Sequence, residues 1–259
     1  MCSRARRAVV LLAGFFLVAM IPARASLVGL YQFNTPSNLG LDSSSYGNNL
    51  TIFGSGVSYT SAGDFGGGLA LTGSGGLTTL TGAVPTGFPL GNDDYTISAD
   101  FETSNLGTYG IIGWGNYGAT DQVNALRLLA GEGFRHYWWG DDLDASAPDA
   151  ANGDWHNVTV TFDGTTRDLY YDGVLIASDT PSGTHNTQNE NFAIGLTNFS
   201  EYFVGTLDNV AVFDQALTAS QVQTIAAGDF SDFVPEPASI GLLGAGLAAL
   251  ALLRRRRIS

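Results

Sequence analysis

From Leu27 to Gly228 the chain is cut into short apolar runs by clusters of Gly, Asn, Asp, Ser and Thr, and this punctuation points to an all-β fold. The clearest run places Tyr95, Ile97, Ala99 and Phe101 at alternate positions, with polar residues between them. Neighbours on a strand point to opposite faces, so this alternation marks a strand with one face in a core. Strands are also expected at 27–33, 50–53, 68–71, 77–80, 109–114, 125–130, 134–139, 155–162, 169–171, 174–177, 192–196 and 204–213. Asp172-Gly173 lies between two of them, the signature of a hairpin with a two-residue turn. One helix is expected: Thr218 and Gln221 have capping-box spacing, Val222 and Ile225 follow on one face, and Gly228 stops it. Many short strands with regular turns build two packed sheets or a barrel.

The order of the motifs narrows the choice. Leu30-Tyr31-Gln32-Phe33 is followed by the Asp42-Ser43-Ser44-Ser45 loop, Phe65-Gly66-Gly67-Gly68 and Tyr95-Thr96-Ile97. Then come Trp155-His156, Leu169-Tyr170-Tyr171-Asp172-Gly173, Gly205-Thr206-Leu207-Asp208-Asn209 and Ala216-Leu217-Thr218. The run resembles the laminin-G-like, concanavalin A-like jelly-roll domains of bacterial surface proteins. The resemblance covers about 200 residues. It implies a two-sheet antiparallel jelly-roll sandwich with one short C-terminal helix, commonly with structural calcium and often with glycan binding.

Both ends read as targeting segments. Arg4, Arg6 and Arg7 precede an uncharged apolar stretch, 8–21, and Ala23-Arg24-Ala25 offers a signal-peptidase site, so residues 1–25 are expected to be a cleaved signal peptide. The jelly-roll domain is placed at 26–228 and a short linker at 229–233. Pro235-Glu236-Pro237 then leads into the uncharged residues 238–253, four arginines at 254–257 and the end of the sequence at Ser259. Sixteen helical residues rise about 24 Å. That approaches a hydrocarbon core of about 30 Å, with the arginines at the cytoplasmic headgroups. Residues 234–259 resemble the PEP-CTERM sorting signal of Gram-negative bacteria. The resemblance implies export, single-pass retention in the inner membrane, and processing at Pro235, Glu236 and Pro237 by an exosortase-type protease. Release to the cell surface or matrix would follow.

Apart from the eight arginines of those segments, only Arg127, Arg135 and Arg167 face the 24 acidic residues, a formal charge of −21 with no lysine. Phosphate backbones need basic patches, so nucleic acid is excluded as a partner. The one cysteine, Cys2, lies in the signal segment. The domain therefore depends on core burial rather than disulfides.

No catalytic constellation emerges. Hydrolases of this fold carry Glu-x-Asp-x-x-Glu on one strand, and none of the five glutamates has that spacing. Arg135, His136 and Tyr137 are adjacent, so alternation keeps them from converging as a lyase set would need. His156, after Trp155, has the place of a structural histidine in the family. The sharpest binding candidate is Trp138-Trp139 with Asp141, Asp142 and Asp144. Indole faces stack on sugar rings, while carboxylates accept hydroxyl hydrogen bonds or hold calcium. One of the two tryptophans should point into the core, and the acidic run after them reads as a loop. Asp42 and Asp208 match positions that the resemblance makes either calcium-linked or strand-locking. The expectation is a non-catalytic, exported surface or matrix protein that binds carbohydrate, such as exopolysaccharide. A structural coat protein without a ligand is the alternative, and a polysaccharide hydrolase or lyase a more distant one.

Overall fold

The computed structural model describes residues 25–130 and 133–234. The expected signal segment up to residue 24, the sorting motif Pro235, Glu236 and Pro237, and the apolar stretch 238–253 lie outside these residues. The first strands are β1 (Leu27–Tyr31), β2 (Thr51–Gly54), β3 (Val57–Thr60), β4 (Gly68–Thr72), β5 (Gly75–Thr78) and β6 (Tyr95–Glu102). There follow β7 (Tyr109–Gly115), β8 (Val123–Leu129), β9 (Gly133–Tyr137), β10 (Asp142–Ser146), β11 (Trp155–Phe162), β12 (Arg167–Tyr171) and β13 (Val174–Asp179). The short β14 (Ala193–Ile194), β15 (Leu196–Thr197) and β16 (Glu201–Tyr202) precede β17 (Val204–Phe213) and the helix α1 (Ala219–Ala226).

The strands form two antiparallel sheets. The first runs β13-β12-β11-β6-β17-β4-β3, and the second β10-β9-β8-β7-β14-β5-β2. The long β17 pairs along one edge with β4 and then β1, and along the other with β6. A bulge between Asp208 and Ala211, with Asn209 at φ 42°, inserts one residue into β17. It lets Leu207, Val210 and Val212 all face the same core. That core lies between the sheets. Leu69, Ile97, Phe101, Val160 and Leu169 come from the first sheet, and Ile112, Leu126, Leu128 and Phe134 from the second. Fully burying such a side chain contributes about 1.5–3 kcal/mol. The β12–β13 hairpin turns through Asp172 (φ 50°) and Gly173 (φ 73°), as its sequence predicts.

The outer face of the first sheet is covered as well. Leu27, Leu30, Tyr170, Ala211 and Phe213 pack against Val222 and Ile225 of α1 and against Phe230 and Phe233. The Thr218–Gln221 capping box is formed. Residues 229–233, expected to be a linker, are therefore docked: the Phe233 ring stands edge-on to Phe213 at 4.9 Å. The Ser26 amide donates to Asp214 Oδ1 at 2.7 Å, so both ends of the sandwich lie at this one patch.

Three strands escape the sequence reading: β3, β10 and the two-residue β16. β3 is short and largely exposed. β10 occupies the run expected to be an acidic loop. Leu143 and Ala145 point inward, while Asp142 and Asp144 alternate outward beside Arg135 on β9.

Candidate functional site

The outer face of the second sheet carries a cleft of about 390 Å³, lined by Thr120, Arg127, Arg135, Tyr137, Trp139, Gly140, Asp142 and Asn198. Alternation along β9 explains its composition. Phe134 and His136 point inward, whereas Arg135 and Tyr137 point outward, and the pattern continues with Trp138 in and Trp139 out. Trp139 takes φ 68° and Gly140 φ 122°, turning the chain sharply at the strand's end. The half-buried indole of Trp139 lies 6.2 Å from the Tyr117 ring and 6.3 Å from that of Tyr137. Phe199, exposed at 61%, continues the aromatic wall edge-on to Tyr117 at 5.4 Å.

Charge in the cleft is paired. Arg135 forks the Asp144 carboxylate through two bonds of 2.6 Å and reaches Asp142 at 3.3 Å. The hydrogen bond from Arg135 holds Asp144 below the usual carboxylate range. Arg127 lies over the Tyr137 ring at 4.6 Å and pairs with Glu201. Its buried Nε has no hydrogen-bond partner. The other oxygen of Glu201 accepts from Thr197 Oγ1 at 2.5 Å and from the Tyr137 hydroxyl at 3.4 Å. Burial pushes the Tyr137 phenol well above its ordinary value.

Trp138 does not belong to this site, and its expected ligand role is corrected. Its side chain is fully buried, stacked on His185 at 3.8 Å, and its Nε1 donates to the Tyr95 hydroxyl at 3.1 Å. The guanidinium of the fully buried Arg167 lies 4.5 Å over the same indole. Arg167 is held by Asp179 at 3.1 and 2.6 Å and donates to the Asp141 carbonyl at 3.0 Å. Asp141 is drawn to that side too: its Oδ2 accepts from the Ser182 amide at 3.2 Å. The five expected binding residues thus divide. Trp139 and Asp142 meet in the cleft, Asp144 stands behind Arg135, and Trp138 and Asp141 serve the buried arginine.

At the expected calcium positions the carboxylates accept hydrogen bonds from the chain itself. Asp42 accepts from the Leu30 amide (2.9 Å), the Ser44 amide (2.8 Å), the Ser44 hydroxyl (2.7 Å) and the Asn48 amide (2.7 Å). Four N–H and O–H donors occupy its lone pairs and lock the 42–49 loop to β1. Asp208 accepts from the Phe65 amide at 3.0 Å and the Asn209 amide at 2.7 Å, closing the loop before β4 onto the β17 bulge. Among the described residues, no cluster of three or more His, Cys, Asp or Glu is arranged to hold a metal. His156, the histidine expected to be structural, bridges Asp172 at 2.9 Å and Asn152 at 3.1 Å.

Arg127, Arg135, Tyr137, Asn198 and Glu201 were not anticipated as site residues. Two of the three arginines between residues 26 and 233 face each other directly across β8 and β9. Their scarcity was a signal, but their proximity depends on strand register.

Sandwich, bulged last strand and capped C-terminal helix together define a jelly-roll module with a lectin-like architecture. The family described as the concanavalin A-like lectin/glucanases superfamily matches residues 73–223, and the chain belongs to it. The PEP-CTERM protein-sorting motif matches residues 233–257. Among solved structures, the fold is similar to domain 4 of a GH43 extracellular arabinanase from Geobacillus stearothermophilus, in complex with arabinotriose. The TM-score is 0.61 at 23% identity, covering 79% of this chain and 100% of that one. It is also similar to the binding domain of Paraclostridial Mosquitocidal Protein 1, with a TM-score of 0.58 at 17% identity, over 80% of this chain and 53% of that one. The binding domain of a botulinum neurotoxin DC, in complex with rat synaptotagmin II, gives a TM-score of 0.56 at 16% identity, over 80% and 52%. No curated protein matches.

Proposed function

We propose that this protein is an exported, non-catalytic surface or matrix module that binds a glycan chain, such as exopolysaccharide, in the cleft beside Trp139. The observation that carries the reading is a half-exposed indole set among Tyr137, Asn198, Thr120 and Asp142 on the uncovered face of a jelly-roll sheet. Aromatic faces take the apolar side of sugar rings, and the surrounding polar groups meet the hydroxyls. The arabinotriose bound by the arabinanase domain supports a sugar as the ligand class. A non-catalytic role is supported by the carboxylates of the cleft. Asp142 and Asp144 are tied to Arg135, and Glu201 to Arg127, which leaves none free to donate or take a proton at a glycosidic oxygen. The sorting motif supports export and handling by an exosortase-type protease, with the tail holding the chain at the membrane beforehand.

The test is retention on immobilised polysaccharides, beginning with arabinan. Trp139→Ala should abolish retention without unfolding the chain. Equal retention of variant and wild type would sink the proposal.

A further inference from the structure

We infer that the cleft selects uncharged glycans, and that Glu201 sets this selectivity by neutralising Arg127. The inference rests on the glycan reading above and names the class of chain the site accepts.

Arg127 on β8 and Arg135 on β9 are direct cross-strand partners. Two guanidiniums side by side on one face of a sheet would repel each other. Left free, they would also make a forked anchor for carboxylate, sulfate or phosphate groups. The fold withdraws both. Arg135 is taken by Asp144 and Asp142, its neighbours on β10. Arg127 is taken by Glu201, which comes from β16, outside the two main sheets.

Glu201 is not a casual surface partner. Its side chain is 13% exposed and that of Arg127 16%. While one carboxylate oxygen meets the guanidinium, the other is fixed by Thr197 Oγ1 and faces the Tyr137 hydroxyl. The carboxylate is therefore held in place before any ligand arrives.

Three carboxylates consequently face two guanidiniums around the cleft. The third arginine between residues 26 and 233, Arg167, is fully buried and offers nothing to the surface. A chain with a formal charge of −13, and more acidic still without its basic ends, repels polyanions at long range. What the cleft presents is the Trp139 indole, the Asn198 amide and the Thr120 hydroxyl. These groups match ring faces and hydroxyls rather than charges.

The experiment compares retention of the full chain, in a detergent without a sugar headgroup, on neutral polysaccharides (arabinan, galactan, β-glucan, mannan) and on polygalacturonate, at 50 and 500 mM NaCl. Wild type should bind at least one neutral polymer with little change between the two salts, and polygalacturonate at least tenfold more weakly. Glu201→Gln keeps the shape and the acceptor for Thr197 but frees the charge of Arg127. It should raise retention on polygalacturonate about tenfold, and the gain should disappear at 500 mM NaCl. Asp144→Asn, on an exposed strand position where folding is not at stake, should act in the same direction through Arg135. Wild-type preference for polygalacturonate would overturn the selectivity while leaving the glycan reading intact. Folded Glu201→Gln and Asp144→Asn chains with wild-type selectivity would overturn the neutralisation. Binding to no polysaccharide at all would defeat the glycan reading itself, and this inference with it.

Discussion

Replacing Asp100 with Asn should stabilise the protein by an amount that grows as pH rises from about 4 to about 8 and is small only below that range. Asp100 is fully buried on the face of β6 turned away from the main core. Its oxygens accept from Asn157 Nδ2 at 2.7 Å and Asn209 Nδ2 at 2.9 Å. Burial, aided by Asp64 and Asp208, pushes its carboxyl up to about 8, against the relief given by the two amides. The folded state thus holds a proton that the unfolded chain releases near pH 3.8. Stability from this group is complete below that value and is lost as pH rises through 8. The cleanest window is pH 6.5 to 8.5. There the buried histidines are neutral in the folded state and contribute alike to wild type and variant, and Asp208, raised to about 6 by burial, has largely ionised. At about 1.4 kcal/mol per unit, the carboxyl should cost wild type roughly 2 kcal/mol across that window. An Asn at 100 does not titrate, so its profile should lack this slope; its oxygen keeps the bond from Asn157 Nδ2, and Asn209 turns its side-chain oxygen to accept from the new amide. Urea unfolding followed by tryptophan fluorescence at several pH values reads both slopes. Parallel slopes for wild type and variant would refute the reasoning, as would a uniform loss of stability in the variant at every pH.

Trp138→Ala should cost about 3–5 kcal/mol, because it empties a large buried site and uncovers the buried Arg167. A denaturation midpoint close to wild type would contradict the core assignment. The buried histidines should act in the opposite sense to Asp100. Burial lowers His185 to about 4 and lowers His136 well below its ordinary value, so the unfolded chain takes up protons first, and their contribution to stability falls as pH drops from about 6.5 towards 4. His185→Gln should shallow that limb in an acid titration, and an unchanged limb would argue against it. EDTA should leave the melting temperature unchanged, because donors fill the lone pairs of Asp42 and the Asp208 oxygens accept backbone amides. A shift of several degrees, reversed by calcium, would show that a cation binds after all.

Most of the sandwich is legible in the sequence because its strands alternate cleanly and its turns use residues that few other conformations favour. The β12–β13 hairpin and α1 were readable for that reason. β10 was not, because Asp142 and Asp144 look like loop residues until Arg135 on the neighbouring strand is seen to pair with them. The tryptophan pair was half legible. Alternation sends one ring inward, but β9 has aromatics at both parities (Phe134 and Tyr137), so the sequence alone cannot say which. Arg127 and Glu201 are 74 positions apart and meet only through the pairing of β8 and the placement of β16. The docking of Phe230 and Phe233 was hidden by the polar residues around them, since an apolar pair that short has no periodicity to read.

The central claim is that a glycan sits against Trp139 on the outer face of the second sheet. Retention on neutral polysaccharides by Trp139→Ala, with Trp138→Phe as the control for general damage, tests it most directly. The account predicts that Trp139→Ala loses at least tenfold in retention with a wild-type unfolding midpoint, and that Trp138→Phe loses stability but keeps binding. Full retention by Trp139→Ala, or loss only in the Trp138 variant, would contradict it.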